Sequence, residues 1–354
     1  MSITHPSARF LLLIVLSAAV GFGVSIALSA WTRHPSSDSR GMVWIPGGEF
    51  LMGSDTPLAK PNEHPAHKVR VHGFWMDKTP VTNAQFATFV AATGYITTAE
   101  QVPGWETLKV QLPEGTPKPP DSALVPGAMV FVGTEHPVDL NDYTQWWQYV
   151  PGANWRHPQG PQSSITGKDD YPVVQVSYED ALAYARWSGK RLPTEAEWEF
   201  AARGGLEQAT YAWGNEFAPQ GHKRANVWDG SEQPFPVMNP RTETEHGTTP
   251  VCSFPPNGYG LCDITGNAWQ WVADWYRTDT YIREGQDEPV DPQGPPDSYD
   301  PEDPSVPASA PKRVIRGGSY LCSREYCQSY RPSARRGADP YSSMSHVGFR
   351  LASR

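Results

Sequence analysis

The chain has 354 residues, enough for one large domain or two ordinary ones. Its formal net charge is -9, from 29 Lys and Arg against 38 Asp and Glu, and no basic stripe stands out, which argues against nucleic acid as a partner. The 14 Trp, 15 Tyr, 31 Gly and 36 Pro point to a loop-rich globule pinned by aromatic anchors, and 4 cysteines are too few for a disulfide scaffold at this length.

In chain order, Arg9 precedes an uncharged apolar run from Phe10 to Trp31. About 20 apolar residues suffice to cross a bilayer, and ALSA near its end offers small residues to a signal peptidase. Residues 1–40 are therefore expected to be a signal anchor or a cleavable signal peptide plus a polar linker. Either reading puts residues 41–354 outside the cytoplasm, anchored facing the periplasm or extracytoplasmic side, or exported after cleavage.

MVWIPGGEFLMGS predicts a hairpin reversing at Pro46-Gly47-Gly48, and HKVRVHGFWMD alternates like a half-buried strand. A helix follows, capped by Thr82 with Gln85 and ended at Gly94. A second starts at Ser177, with Asp180 completing its capping box, and stops at Gly189. A third opens at Thr194 with Glu197 over AEWEFAARGG. Residues 278–312 are acidic and carry 8 prolines from Pro289 to Pro311, the composition of a surface loop without a packed element. No internal repeat is visible, and the pattern is one large mixed α/β (α+β) domain.

Cys322 and Cys327 stand in RVIRGGSYLCSREYCQSYR. Residues five apart on a helix point about 140° away from each other, so a helix would separate the thiols. Gly317-Gly318 before Ser-Tyr-Leu instead suggests a strand leaving a tight turn, on which the sulfurs could converge. Spacing alone favours a disulfide. A zinc site shared with Cys252 and Cys262 fits the usual ligand spacings poorly, inert buried thiols are a third reading, and two soft thiolates also suit Cu(I).

Several segments carry a family resemblance: VWIPGGEFLMGS, MDKTPVTNAQFATFV, VPGANWRHPQGP, YPVVQVSYEDALAYARWSGKRLPTEAEWEFAARGG, FPPNGYGLCDITGNAWQWVADWY and RVIRGGSYLCSREYC with GFRLA. From Met42 to Ala352 the chain resembles the formylglycine-generating enzymes, the sulfatase-modifying factor family. The resemblance implies a compact C-type lectin-like fold of low regular secondary-structure content. It also implies a copper- and O2-dependent oxidation of the cysteine in a Cys-x-Pro-x-Arg stretch of unfolded sulfatase-type polypeptides to C-alpha-formylglycine. In that reading Cys322 and Cys327 hold Cu(I), Ser319 is an active-site serine, and Tyr326 is a lesser candidate.

The resemblance further implies structural Ca2+. One site would use Asn226 and Val227 with Glu243 and Glu245, and another Asp263, Gly266, Ala268 and Gln270. Here Gln270 stands where the family pattern NAWEW has a carboxylate, and Asp263 where an amide is common. Cys252 and Cys262 match no structural disulfide of the animal enzyme; they either pair across FPPNGYG or stay reduced. Two other functions compete: a non-catalytic exported member acting as a binding or maturation module, and an iron-dependent sulfoxide synthase, for which His64 and His67 supply too few ligands.

Overall fold

The chain enters through a long bent hairpin. Strands β1 (Met42–Ile45) and β2 (Gly48–Met52) follow one another, and β3 (His67–Val71) and β4 (Phe74–Asp77) return beside them. β1 pairs antiparallel with β4, Ile45 opposite Phe74, and β2 with β3, Gly48 opposite Val71. Pro46-Gly47-Gly48 is thus a corner, not the predicted reversal, which lies between β2 and β3. A Cβ on Gly47 would come within 2.6 Å of Gly73 N, so the two backbones meet there more closely than any side chain allows. Alternation marks strands, but which strands pair depends on where the chain reverses.

This computed structural model describes residues 41–231, 233–238, 246–285 and 287–354. The apolar N-terminal run, Glu243 and Glu245 lie outside the described residues. Among the described residues, no helix is long and apolar enough to cross a membrane.

Helix α1 spans Asn83–Thr93, α2 Tyr178–Trp187 and α3 Glu195–Arg203. Each has the expected reciprocal capping box, from Thr82 and Gln85, Ser177 and Asp180, and Thr194 and Glu197. Such caps contribute about 1 kcal/mol each. Every residue of α3 is buried, including Glu195, Glu199 and Arg203, so its charges must find partners inside the protein.

β5 (Gly127–Phe131) and β6 (Trp147–Pro151) form a hairpin that the sequence reading did not single out. The central sheet has the order β10-β7-β8-β9, built from Trp269–Trp275 (β7), Arg313–Arg316 (β8), Arg335–Ala338 (β9) and Val347–Phe349 (β10). β10 runs parallel to β7, and the other neighbours are antiparallel. β11 (Ala352–Ser353) joins β4 to complete a second sheet. Residues Gly41–Arg354 form one compact unit. Its mixed α/β character, much of it irregular, is as expected.

Aromatic rings fill the core between α1, α2 and the central sheet. Phe86 sits 5.2 Å from Trp155 and 6.4 Å from Phe349 between ring centroids. The Pro-rich stretch is mostly loop, but it is more firmly packed than its composition suggests. Thr280–Glu284 forms a helical turn whose Tyr281 is fully buried. Buried Lys312 reaches Asp300 at 2.6 Å and Asp303 at 2.7 Å.

Candidate active site

β8 delivers the cysteine segment. Its last residue, Arg316, is followed by Gly317 (φ +92) and Gly318 (φ +69), which turn the chain sharply. A Cβ on Gly318 would come within 2.9 Å of the Ser329 backbone, so only glycine lets the outgoing segment pack on the returning one. Residues beyond this point are turns, not the expected strand; the strand precedes the glycines. Cys322 N donates to Ser319 O at 2.9 Å, and Cys327 N to Ser323 O at 3.2 Å. Leu321 N donates to Ser319 Oγ at 3.2 Å, and Tyr326 N to Ser323 Oγ at 3.1 Å.

These turns bring Cys322 and Cys327 together with Cα atoms 4.9 Å apart and their sulfurs bonded to each other. Convergence on irregular backbone is what the sequence suggested, and the pair stands in its disulfide form. Both residues are buried, and both line a cavity of about 370 Å³. Ser319, Tyr326, Trp147, Trp269, Arg336 and His346 share its wall. Tyr326 stacks on Phe235 at 4.9 Å and meets Trp146 edge-on at 5.6 Å. A larger cavity of about 490 Å³, lined by Lys168, Tyr171 and Tyr320, contains neither cysteine, so the chemistry places the site in the smaller one.

Behind the segment, Arg316 is wholly buried. Its guanidinium donates to Glu195 at 2.5 Å, to Glu199 at 2.6 Å, to the Tyr281 hydroxyl at 3.0 Å and to the Pro332 carbonyl. One side chain thereby ties α3 to both ends of the cysteine segment. Arg335 adds a bidentate pair to Glu195 at 2.7 and 2.8 Å, and Arg203 reaches Glu199 at 2.6 Å. Burial pushes the Glu195 and Glu199 pKa values up, but Arg335 and Arg316 on one, and Arg203 and Arg316 on the other, outweigh it and hold both below the usual range. The sequence predicts α3 only as a capped helix, because the charged pairs that hold Arg316 are long-range and leave no local pattern.

Cys252 and Cys262 are bonded to each other, Cα atoms 5.0 Å apart, which removes the four-cysteine zinc reading. No group of three or more His, Cys, Asp and Glu among the described residues is arranged to hold a metal. His64 and His67 go to separate carboxylates, Asp55 and Glu284.

Of the expected calcium ligands, Asn226 donates its amide to Gly247 O at 2.9 Å and to Asn267 Oδ1 at 3.1 Å. That orientation leaves the Asn226 side-chain oxygen as an available donor to a cation, with Val227 next in the chain. Asp263 Oδ2 accepts from Cys252 N at 2.7 Å. Gly266 and Ala268 lie on the turn leading into β7, both buried.

Gln270 is occupied otherwise. Its oxygen accepts from Trp198 Nε1 at 2.9 Å and Arg350 Nε at 2.7 Å, and its nitrogen donates to Asp263 O and Ile264 O at 2.9 and 3.3 Å. With every position filled and a buried guanidinium beside it, Gln270 does not fit as a ligand of a cation.

Residues 29–354 match the profile of the Sulfatase-modifying factor enzyme 1-like domain. The chain belongs to this family. It is 46% identical over 323 residues to the formylglycine-generating enzyme of Thermomonospora curvata, covering 90% of this chain and 95% of that one. It is 47% identical over 311 residues to that of Mycobacterium tuberculosis, covering 87% and 96%. The family also includes the Inactive C-alpha-formylglycine-generating enzyme 2 of Mus musculus, 38% identical over 315 residues, covering 88% of this chain and 85% of that one. Among solved structures, PvdO from Pseudomonas aeruginosa superposes with a TM-score of 0.52 at 24% identity, over 88% of this chain and 94% of that one. This likeness concerns the fold.

Proposed function

We propose that this chain is an oxidoreductase that converts a cysteine of sulfatase-type polypeptides to C-alpha-formylglycine, with Cys322 and Cys327 as the reactive pair. The observation that carries this reading is two buried sulfurs brought into contact in the wall of a cavity, in a sulfatase-modifying factor chain. A non-catalytic module would need the pair only as a disulfide.

The substrate is an unfolded segment with Cys-x-Pro-x-Arg, and dioxygen is the electron acceptor. Cys322 and Cys327, once reduced, are a two-sulfur donor set suited to Cu(I), and Tyr326, Trp269 and Leu321 keep their surroundings largely apolar. Bound there, Cu(I) would supply a soft centre for the substrate sulfur and a path for electrons to dioxygen.

The chain's own residues do the rest. The turns at Ser319 and Ser323 fix the two sulfurs, and Arg316 fixes the turns. Ser319 Oγ accepts from Leu321 N, which leaves its O–H to donate to the reacting group. The substrate side chain loses two protons and two electrons from its thiol and Cβ to become a thioaldehyde. Water then adds at the carbon and hydrogen sulfide leaves, so the aldehyde remains.

A structural Ca2+ belongs to the proposal at Asn226 and Val227, with Glu243 and Glu245 as further oxygen donors. The domain acts outside the cytoplasm, delivered by the apolar N-terminal run, so its substrate must be met before it folds around its cysteine.

The test is to reduce the protein, load Cu(I), and incubate it in air with a Cys-x-Pro-x-Arg peptide. A carbonyl captured by hydroxylamine on the peptide supports the reading. A peptide recovered with its thiol intact, from protein whose copper and free thiols have been verified, sinks it.

A further inference from the structure

One residue of the cysteine cavity has no assigned task. His346 immediately precedes β10, and its carbonyl accepts from Trp269 N at 2.9 Å, which fixes its backbone against β7. Its ring lies 4.7 Å from that of Trp147, tilted by 39°. The residue is 8% exposed and lines the cavity together with Cys322, Cys327 and Ser319.

Its imidazole is unusual in having no hydrogen-bond partner among the described residues. Nδ1 is buried without a hydrogen-bond partner, and no described residue hydrogen-bonds to Nε2. Burial and the positive charge of Arg336 push its pKa down to about 3, so the ring is neutral, one nitrogen a donor and the other an acceptor. A buried polar group without a partner costs stability. A phenyl ring would pack on Trp147 without that cost. The polar ring is therefore explained by a partner absent from the free protein.

The chemistry of the cavity narrows that partner. A neutral ring beside Arg336 is a poor receptor for the substrate's arginine. It suits the amide groups of a peptide backbone, which an extended segment presents whatever its side chains are.

We propose that His346 is a substrate-contacting residue, hydrogen-bonding through its imidazole to the main chain of the polypeptide segment that carries the reacting cysteine. The inference rests on the functional reading above and adds to it how the cavity holds sequences that vary between the fixed positions.

The experiment separates the two. Binding of a synthetic peptide with serine in place of the reacting cysteine is measured by calorimetry on reduced, metal-free protein, for wild type, His346→Phe and His346→Gln. His346→Phe keeps ring volume and removes both nitrogens. It is expected to weaken binding about 3- to 10-fold, with an unchanged or raised melting temperature. His346→Gln restores a hydrogen-bonding side chain and is expected to recover most of the loss. In turnover, His346→Phe raises KM and leaves kcat close to wild type.

Wild-type affinity in His346→Phe overturns the inference while leaving the functional reading intact. Equal losses in the Phe and Gln variants also overturn it, because they assign the effect to ring packing. Failure of the wild type to bind the peptide sinks the substrate reading, and the inference with it.

Discussion

Replacing Glu199 by Gln removes one negative charge from the cluster behind the cysteine segment. Its carboxylate accepts from Gly53 N at 2.8 Å, Arg203 Nη2 at 2.6 Å and Arg316 Nη2 at 2.6 Å. Glu199 and Arg316 are fully buried and Arg203 is 5% exposed. In the variant one of the two guanidinium groups faces an amide N–H, Arg203 loses its carboxylate partner, and Arg316 and Arg335 are left with the charge of Glu195. Removing one partner from a buried pair costs about 3–5 kcal/mol. At roughly 2–4 °C per kcal/mol for a domain of this size, the melting temperature should fall by about 6–20 °C.

The pH dependence has a definite sign. The folded pKa of Glu199 lies below its ordinary value of 4.5, so its contribution is complete above that value and is lost as pH falls through the folded pKa. Thermal melts of wild type and Glu199→Gln should differ by a constant margin between about pH 6 and 8, and converge in acid. Because Arg316 spans the segment, reduced Cys322 should also alkylate faster in the variant. A melting difference under about 2 °C, or one that widens in acid, would refute the assignment of this cluster as the anchor of the site.

Three further outcomes follow from the geometry. Cys252→Ser opens a disulfide with sequence separation 10 and should cost about 2–3 kcal/mol, measured by denaturant unfolding; the same loss must appear in Cys262→Ser, or the pairing is wrong. Calcium titration by calorimetry should return a single site, abolished by Asn226→Ala and retained in Gln270→Ala; two sites, or loss in the Gln270 variant, contradict the filled hydrogen-bonding of Gln270. Burial lowers the His67 pKa, but Glu284 at 3.6 Å reverses this and leaves it raised, so its stabilisation is full below its unfolded pKa and lost as pH rises through the folded one. NMR titration of Glu284→Gln should show the His67 pKa falling, and an unchanged value would remove Glu284 as the cause.

What could be read from the sequence was mostly local. The caps at Thr82, Ser177 and Thr194 involve residues three apart, and all three form as expected. The cysteine segment was legible through family resemblance, since its spacing alone pointed no further than a disulfide. Features made by distant residues were not legible. Pro46-Gly47-Gly48 has the composition of a reversal but serves as a corner, because β1 finds β4 rather than β2. Tyr281 and Lys312 anchor a stretch whose composition reads as loose, through partners outside any local pattern. Gln270 looks like a weakened cation ligand until Arg350 and Trp198 are brought beside it. His346 carries no motif; a histidine before GFRLA becomes notable only when its buried Nδ1 is found without a hydrogen-bond partner among the described residues, beside the cysteine pair.

The most direct test of the central claim is intact-mass analysis of a Cys-x-Pro-x-Arg peptide incubated with reduced, Cu(I)-loaded protein, with and without dioxygen. Wild type is expected to convert the peptide thiol to the aldehyde in air and not under nitrogen, and Cys322→Ser and Cys327→Ser should each fall to background. Conversion that persists in both folded serine variants would contradict the account.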